Sequence, residues 1–367
     1  MVYVKIYGAG SIGNHLAYAC RSKGWNVLIC DVDTEALERT KYEIYPSRYG
    51  SWDDEISLTA EAELEEHKYD LVIIGTPPDT HLKLACNVLK RGAPKALLIE
   101  KPLCAPSLQG LDELQKLVEK VGTHVFVGYN HTLTKNTKLA EQIIKKGILG
   151  EPLSIMAKTR EHWGGIFKAH PWLSGPKDTY LGFSDKGGGA LGEHSHAVNI
   201  WQHFAYMLDK GKITEVSALI DMVEAGAANY DQLSLLNVRT EKGLSGNIIQ
   251  DVITAPAQKQ SRIQGSKGFV EWHVNWDSNN DAVVYGEQGE KQKMELIPKT
   301  RPEDFAGEIN HIEKLLKGEK SNSPISLQRG METMLVIAAA FRSSMENKTV
   351  KIDYDAGYNL KALSTSQ

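Results

Sequence analysis

The sequence predicts an α/β domain built on a doubly wound parallel sheet, followed by an α+β domain with a large open, mostly antiparallel sheet. In the first third of the chain, short β-branched apolar runs alternate with helical segments, a pattern typical of a parallel sheet covered by helices. Beyond Pro152 the apolar runs are longer and less regularly separated by helices. A length of 367 residues suits two domains, which we predict at residues 1–128 and 129–367.

The elements of the two domains follow in order along the chain. In the first domain, strands are predicted at 2–7, 26–30, 69–75, 96–99 and 124–128, and helices at 11–23 and 108–121. A helix at 135–146 follows, and later strands are predicted at 215–223, 232–240, 244–252 and 269–274. A helix with one apolar side is predicted at 330–345, and the charge run 61–68 is interpreted as a solvated helix face.

The composition excludes several classes of protein. Hydrophobic residues make up 41% of the chain and charged residues 24%, as in ordinary globular proteins. A formal net charge of -4 argues against a nucleic-acid partner. The apolar run 334–341 is far shorter than the roughly 20 residues that cross a bilayer, so no membrane partner is expected. The four cysteines are far apart in sequence, which favours free thiols in a reducing compartment, and we expect a cytoplasmic protein.

A glycine-rich turn joins the first predicted strand to the first predicted helix. Its sequence is Gly8-Ala9-Gly10-Ser11-Ile12-Gly13, the G-x-G-x-x-G pattern of dinucleotide-binding Rossmann domains. The glycines permit a tight turn and close approach of the backbone to a pyrophosphate, and the helix N-terminus favours the anion. Asp31 ends the second strand, where a carboxylate accepts hydrogen bonds from ribose hydroxyls and repels a 2′-phosphate. We therefore predict NAD as the cofactor, with NADP less favoured.

Polar residues follow two further strands, in Thr76-Pro77-Pro78 and Glu100-Lys101-Pro102. Ligands bind outside the carboxyl ends of parallel strands, so these turns are expected to meet at one crevice. A lysine at this edge can exchange a proton with the hydroxyl or carbonyl at which hydride transfer occurs. Taken alone, Lys101 fits a surface lysine before a turn equally well.

Together these motifs resemble the glucose-fructose oxidoreductase, inositol dehydrogenase and MocA (Gfo/Idh/MocA) family. The resemblance rests on the glycine fingerprint, the strand-end Glu100-Lys101-Pro102, Thr76-Pro77-Pro78 with His81, Gly187-Gly188-Gly189 before Glu193 and His196, and Gly147 to Pro152. It implies that Lys101 carries the proton and that the exposed face of the second sheet pairs subunits into homodimers or homotetramers. A His after the Thr-Pro turn lies near the nicotinamide in this family, although His81 could instead cap a helix.

The chain departs from the family pattern at two places. An Asp and a His four residues apart usually follow the glycine run, whereas here Glu193 precedes His196 by three residues. Both spacings keep two side chains on one helical face, and His194 competes with His196 for the role. At the second place, Thr132 stands where an Arg is common, which leaves Asn130 and His131 as polar contacts. Asn199 could replace a further Asp of the family.

These observations give one set of predicted site residues. The predicted cofactor contacts are Gly8, Gly10, Ser11, Ile12, Gly13, Asp31, Thr76, Pro77, His81, Glu100 and Lys101. The predicted substrate contacts are Lys101, Asn130, His131, His162, Trp163, Glu193 and His196, of which Lys101, Glu193 and His196 are the predicted catalytic residues. Trp163 could stack on a sugar ring or pack at the domain interface.

The predicted reaction is reversible hydride transfer between NAD and a secondary alcohol of a sugar, a polyol or a nucleotide-linked sugar. No metal is expected, because nicotinamide chemistry with a lysine acid needs none. One alternative uses bound NAD transiently to cleave a glycoside by oxidation, elimination and re-reduction. Another is an NAD-binding regulator without catalysis, which the altered spacing of Glu193 and His196 keeps open.

Overall fold

The first sheet of the protein is six-stranded, and every pair of neighbouring strands is parallel. The computed structural model describes residues 1–60, 68–168, 172–319 and 322–365, so most of the predicted charged helix at 61–68 lies outside the described residues. The strands are β1 (Tyr3–Tyr7), β2 (Asn26–Asp31), β3 (Ile56–Ala60), β4 (Leu71–Ile74), β5 (Ala96–Ile99) and β6 (His124–Val127). Their order, β3-β2-β1-β4-β5-β6, is that of a doubly wound Rossmann sheet, which confirms the predicted fold class of this domain.

Helices surround this sheet and begin or end at identifiable residues. They are α1 (Ser11–Arg21), α2 (Thr34–Arg39), α3 (Tyr45–Tyr49), α4 (Pro78–Gly92) and α5 (Leu111–Val121). A π-helical turn at Thr40–Ile44 joins α2 to α3. Helix α5 begins three residues later than predicted, because Leu108 and Gly110 both have left-handed backbone conformations that an α-helix cannot contain.

The second sheet has ten strands and is antiparallel except where β7 and β10 pair in parallel. Its strands are β7 (Pro152–Arg160), β8 (Ile213–Ala225), β9 (Ala228–Thr240), β10 (Ser245–Asp251), β11 (Gln258–Gly265), β12 (Gly268–Val274), β13 (Asn280–Glu287), β14 (Lys293–Pro298), β15 (Val350–Ile352) and β16 (Leu363–Thr365). Its helices are α6 (Lys135–Lys145), α7 (Gly164–Lys168), α8 (Gly189–Glu193), α9 (His196–Met207), α10 (Arg301–Leu316) and α11 (Leu327–Glu346). The predicted large, mostly antiparallel sheet is thereby confirmed.

One face of the second sheet is covered and the other is open. Helices α6, α9 and α11 pack against its strands, and Trp201 on α9 donates a hydrogen bond to the carbonyl of Ile155 on β7. The other face presents apolar side chains such as Leu219 and Leu235, which are direct cross-strand neighbours on β8 and β9. Over the part of the chain that the structure describes, no helix has the length and apolar character needed to span a bilayer.

Most of the buried apolar side chains form one continuous cluster that includes members of both sheets. Helix α10 comes from the second half of the chain but packs against α1 of the first. The backbone of Val127, at the end of β6, also bonds to the carbonyl of Ile325 before α11. The domain limits at residues 128 and 129 therefore stay a prediction, although β6 does end at Val127.

Candidate active site

The glycine-rich turn is shaped by close backbone contacts. Gly8 has a φ of +107°, which L-residues with a side chain rarely adopt, and a Cβ on Gly13 would lie 2.1 Å from the carbonyl oxygen of Gly8. By contrast, a Cβ on Gly10 would meet no atom within 4 Å. Asn14 and Thr40 hold the loop from beneath, since both side chains donate to the carbonyl of Ala9.

The N-terminus of α1 has the properties that a pyrophosphate site requires. Gly10 is the N-cap residue and supplies no side-chain hydrogen bond to the first turn, which contains Ser11, Ile12 and Gly13. The backbone N–H groups of that turn therefore face outward with the positive end of the helix dipole. The residues present fit a dinucleotide, because the open space at Gly10 lies beside these donors.

Asp31 lies at the end of β2, against the same loop. Its Oδ2 accepts a hydrogen bond of 2.7 Å from the backbone N–H of Ala9, and its Oδ1 accepts one of 3.0 Å from Asp33. Arg39 is the nearby cation that sequence reasoning missed, but its guanidinium pairs with Asp33 at 3.0 Å and with Glu35 at 3.6 Å. The positive charge of Arg39 is thus balanced by carboxylates other than Asp31.

Lys101 and Glu193 form the central pair of the crevice. The ammonium of Lys101 donates to the backbone carbonyl of Glu193 at 2.8 Å and to its Oε2 at 3.1 Å. The side chains are 14% and 19% exposed, so the pair is shielded but reachable. An ammonium has three N–H donors, so one remains for a ligand. The peptide bond between Lys101 and Pro102 is cis.

Glu100 is directed into the protein, away from this pair. It is 7% exposed, and a Cβ on Gly128 would lie 2.7 Å from its Oε1, so only glycine fits beside it. Burial raises the pKa of Glu100 to about 7, although the charge of Lys101 opposes that rise. A second fully buried acid, Glu308 on α10, has no hydrogen-bond partner among the described residues, and burial together with the charge of Glu100 raises its pKa.

His81 joins two of the strand-end turns. It is fully buried, with Nε2 2.7 Å from the carbonyl oxygen of Thr76 and Nδ1 3.1 Å from that of Pro102. Burial lowers its pKa, and a neutral imidazole donates to only one of these two carbonyls. Pro77 is exposed at the start of α4, beside Thr76. His81 therefore holds the turns in place from within and does not line the surface of the crevice.

Three histidines gather near Lys101. The rings of His131 and His196 stack with centroids 4.1 Å apart, and the charge of Lys101 contributes to the lowered pKa of both and of His194. Burial is the largest cause in each case, so all three are neutral near pH 7. His194 Nε2, His196 Nδ1 and the Oδ1 of Asn130 have no hydrogen-bond partner in the described structure. Such atoms are suited to binding hydroxyl groups.

The expected common helix for Glu193 and His196 is interrupted. Helix α8 ends at Glu193, and α9 begins at His196, with His194 and Ser195 in the turn between them. The two predicted catalytic side chains therefore come from two short segments. Asn199, in the first turns of α9, donates to the hydroxyl of Thr333 on α11.

The predicted contacts at 162 and 163 occupy different environments. His162 is exposed, and its Nδ1 accepts a hydrogen bond from the backbone N–H of Gly164. Trp163 is 7% exposed and packs edge-on against Tyr230 at 4.6 Å, in a small apolar cluster with Leu181. Most of the indole is therefore occupied by packing, and the residues that surround it all come from the second half of the chain. This is not packing at the predicted domain interface, and contact of Trp163 with a sugar stays a prediction.

Sequence reasoning missed several charged residues around the crevice. Lys259 on β11 pairs with Glu161 at 2.5 Å, and the charges of Lys259, Lys299 and Arg301 all contribute to the lowered pKa of His131. They come from distant segments, and no local motif marks them. Within the described ranges, no group of three or more His, Cys, Asp or Glu side chains is arranged to hold a metal ion.

Comparison with known proteins agrees with this architecture. A model of an oxidoreductase family with an NAD-binding Rossmann fold matches residues 2–129, and the model of the Gfo/Idh/MocA C-terminal domain matches residues 137–271. The 2,7-anhydro-N-acetylneuraminate hydratase of Escherichia coli K12 is 21% identical over 388 residues, which cover 96% of this chain and 97% of that protein.

Solved structures show the same fold. Levoglucosan dehydrogenase, in complex with NADH and L-sorbose, matches with a TM-score of 0.75 at 17% identity, covering 95% of this chain and 98% of its own. A putative myo-inositol dehydrogenase from Sinorhizobium meliloti 1021 matches with a TM-score of 0.72 at 20% identity, covering 96% and 99%. The chain therefore belongs to the Gfo/Idh/MocA family of oxidoreductases, with an NAD-binding Rossmann domain at its N-terminus.

Proposed function

We propose that the protein transfers hydride between NAD and a secondary alcohol of a sugar, a polyol or a nucleotide-linked sugar, with Lys101 as proton donor and acceptor. The observation that carries the proposal is the position of the Lys101 ammonium. Two of its N–H groups are held by Glu193, and it lies in a shielded crevice at the carboxyl edge of the sheet. The third N–H is available to a substrate oxygen.

NAD, when bound, supplies the acceptor or donor of the hydride. In the oxidation direction, the proton of the substrate hydroxyl passes to Nζ of Lys101 once that amine is neutral. The Glu193 carboxylate, 3.1 Å from Nζ and partly exposed, is placed to take the earlier proton from Lys101. In the reduction direction the ammonium returns a proton to the carbonyl oxygen. The Lys101 and Glu193 pair thus serves both directions.

The neutral histidines suit a substrate with several hydroxyls. A neutral imidazole has one donor and one acceptor nitrogen, so each ring can donate a hydrogen bond to a hydroxyl oxygen or accept one from a hydroxyl O–H. The unpartnered atoms of Asn130, His194 and His196 supply such positions near Lys101. We assign His196 to positioning the substrate and Glu193 to holding Lys101 and exchanging its proton. Asn130 and His131 are assigned to contacts with the remaining hydroxyls.

Absorbance of NADH tests this proposal directly. Purified wild type, Lys101→Met and Lys116→Met would be mixed with NAD and a panel of sugars, polyols and sugar nucleotides. Lys116 is an exposed lysine on α5, so its variant is the matched control. We expect the Lys101 variant to lose about 10²-fold or more of the rate while it retains NAD binding. A Lys101 variant with the full rate would contradict the role of this lysine.

A second candidate function follows from the relative in Escherichia coli, whose name describes a hydratase. Adding or removing water involves no net oxidation, so in such a reaction NAD would be reduced and reoxidised within one turnover. Product analysis distinguishes the two candidates. Release or hydration of a sugar with constant NADH absorbance favours this transient use of NAD, and net NADH formation favours the dehydrogenase.

We also propose that the open face of the second sheet pairs subunits into a homodimer or homotetramer. Leu219 and Leu235 form a cross-strand pair that is 65% and 39% exposed, and Met294 and Leu296 on β14 are 49% and 51% exposed. Exposed apolar side chains of this number mark an interaction surface. Light scattering with Leu219→Asp tests the pairing, because a charge on that face should shift the protein towards the monomer. An unchanged mass would contradict it.

The four cysteines are buried and none forms a disulfide in the described structure, which supports a location in a reducing compartment such as the cytoplasm. Fractionation of the cells that produce the protein tests this part of the proposal.

A further inference from the structure

Helices α1 and α10 lie side by side and run in the same direction. Phe305 stacks on His15 with ring centroids 4.6 Å apart, and Glu313 accepts an ion-pair hydrogen bond of 2.8 Å from Lys23. In each pair the second residue follows the first by 290 positions. Glu308 contributes to the raised pKa of Cys20, which lies between these two contacts. Lys23 lies in the turn that follows α1, so the same offset holds from the middle of α1 to just beyond its end.

Extending this register by one turn towards the N-termini places Arg301 beside Ser11. Arg301 is the first residue of α10 and lies one turn before Phe305, with its guanidinium 5.2 Å from the Phe305 ring centroid. Ser11 is the first residue of α1 and lies one turn before His15. The two helix N-termini, each with the positive end of its dipole, therefore lie together at the glycine-rich turn.

A second arginine reaches the same turn from α3. Arg48 donates from Nη1 to the carbonyl of Ser11 and from Nη2 to its hydroxyl, both at 2.8 Å. Within the described residues Arg48 makes no ion pair, and the only carboxylate within 4 Å of Arg301 is Asp304, at 3.9 Å. Asp304 is also 3.4 Å from Lys299, so it balances Arg301 poorly.

The two arginines repel each other in the absence of an anion. Burial lowers the pKa of Arg48, and the charge of Arg301 adds to this effect. Arg301 also contributes to the lowered pKa of His15, and its side chain is 62% exposed. An anion between them would remove the repulsion and accept charge-assisted hydrogen bonds from both guanidinium groups.

We propose that Arg48 and Arg301 form an arginine pair beside Ser11 that binds the NAD pyrophosphate together with the glycine-rich turn. The second half of the chain, through Arg301, thereby contributes directly to a cofactor site that the Rossmann domain otherwise forms alone. This inference rests on NAD binding by the family and is independent of the substrate and of the proton transfer assigned to Lys101.

Calorimetric titration with NAD, ADP-ribose and adenosine tests the arginine pair without turnover. NAD and ADP-ribose contain the pyrophosphate, and adenosine does not. We expect Arg301→Met and Arg48→Met each to weaken binding of NAD and ADP-ribose by roughly 10-fold or more, since each variant removes charge-assisted hydrogen bonds to the pyrophosphate. Adenosine should bind as it does to wild type. Arg91→Met, an exposed arginine at the far end of α4, is the control.

Two features separate binding from damage to the fold. Arg301 is exposed and makes no hydrogen bond to the glycine-rich turn, so its variant should unfold at the wild-type temperature. Arg48→Lys keeps the charge and should recover part of the affinity for ADP-ribose. Unchanged ADP-ribose binding by Arg301→Met would overturn the proposal. A loss confined to the sugar substrate would also overturn it, since Arg301 would then belong to the substrate side.

Discussion

Replacing Glu100 by Gln should change how the stability of the protein depends on pH. Glu100 is 7% exposed, and burial raises its pKa from 4.5 to about 7. Between these two values the unfolded chain has lost the proton while the folded chain still holds it. The protonated side chain therefore makes its full contribution to the free energy of unfolding below pH 4.5, and this contribution is lost as the pH rises to about 7.

The size of this effect follows from the two pKa values. At about 1.4 kcal/mol for each pH unit between them, ionisation of Glu100 costs the folded state about 3–4 kcal/mol above pH 7. Gln has no proton to lose. The free energy of unfolding of Glu100→Gln, relative to that of wild type, should therefore rise by about that much between pH 4.5 and pH 7. Glu308 adds to this gain in stability. The charge of Glu100 raises the pKa of Glu308 in wild type, and that charge is absent in the variant.

Urea unfolding at a series of pH values across this range measures the effect. The free energy of unfolding of Glu100→Gln minus that of wild type is plotted against pH. Glu38→Gln, an exposed carboxylate on α2, is the control and should give a flat line. A flat line for Glu100→Gln would refute the buried, protonated state of Glu100, and a falling line would reverse the argument.

Three further substitutions test the loop and the turns. Gly13→Ala places a methyl 2.1 Å from a carbonyl oxygen and should cost about 1–3 kcal/mol or more, so an unchanged melting temperature would contradict the loop geometry. Gly10→Ala meets no atom within 4 Å and should melt like wild type, but calorimetry should show NAD binding weakened by roughly 10-fold; full affinity would mean that the pyrophosphate does not approach there. His81→Ala leaves a cavity and two buried carbonyls and should cost about 2–3 kcal/mol in urea unfolding; a loss below about 1 kcal/mol would argue against its joining role.

The sequence was most informative where local chemistry determines local structure. The run Ala96–Ile99 was predicted with its observed limits, because its four residues are apolar and both sheet faces there are buried. The glycine-rich turn was equally visible, since Gly8 has a φ of +107° and Gly13 lies against the carbonyl of Gly8 in the same turn. Helix α5 was misjudged at its start because the left-handed conformation of Leu108 has no residue-level signal.

The crevice was only partly predictable, for a different reason. The carboxyl ends of parallel strands meet at one edge of the sheet. Strand order alone therefore predicts that Lys101 and Asn130 lie at the same edge as the glycine-rich turn. The break between Glu193 and His196 was not predictable, because both residues are compatible with a helix and tertiary packing decides where it ends. Lys259 and Arg301 lie more than a hundred residues from Lys101 in the chain, and no local motif marks either of them.

The predicted division at residue 128 separates the two sheets, but it does not separate the hydrophobic core, because α10 from the second half of the chain packs in parallel against α1 from the first. Ile309 and Ile312 on α10 are fully buried in the cluster that also contains Leu16 on α1. A chain cut at the predicted boundary would expose that side of α1 to water. Since the N-terminus of α1 is the predicted pyrophosphate site, any displacement of α10 would change the glycine-rich turn. The second half of the chain therefore supports the predicted NAD site structurally, through the packing of α10 against α1.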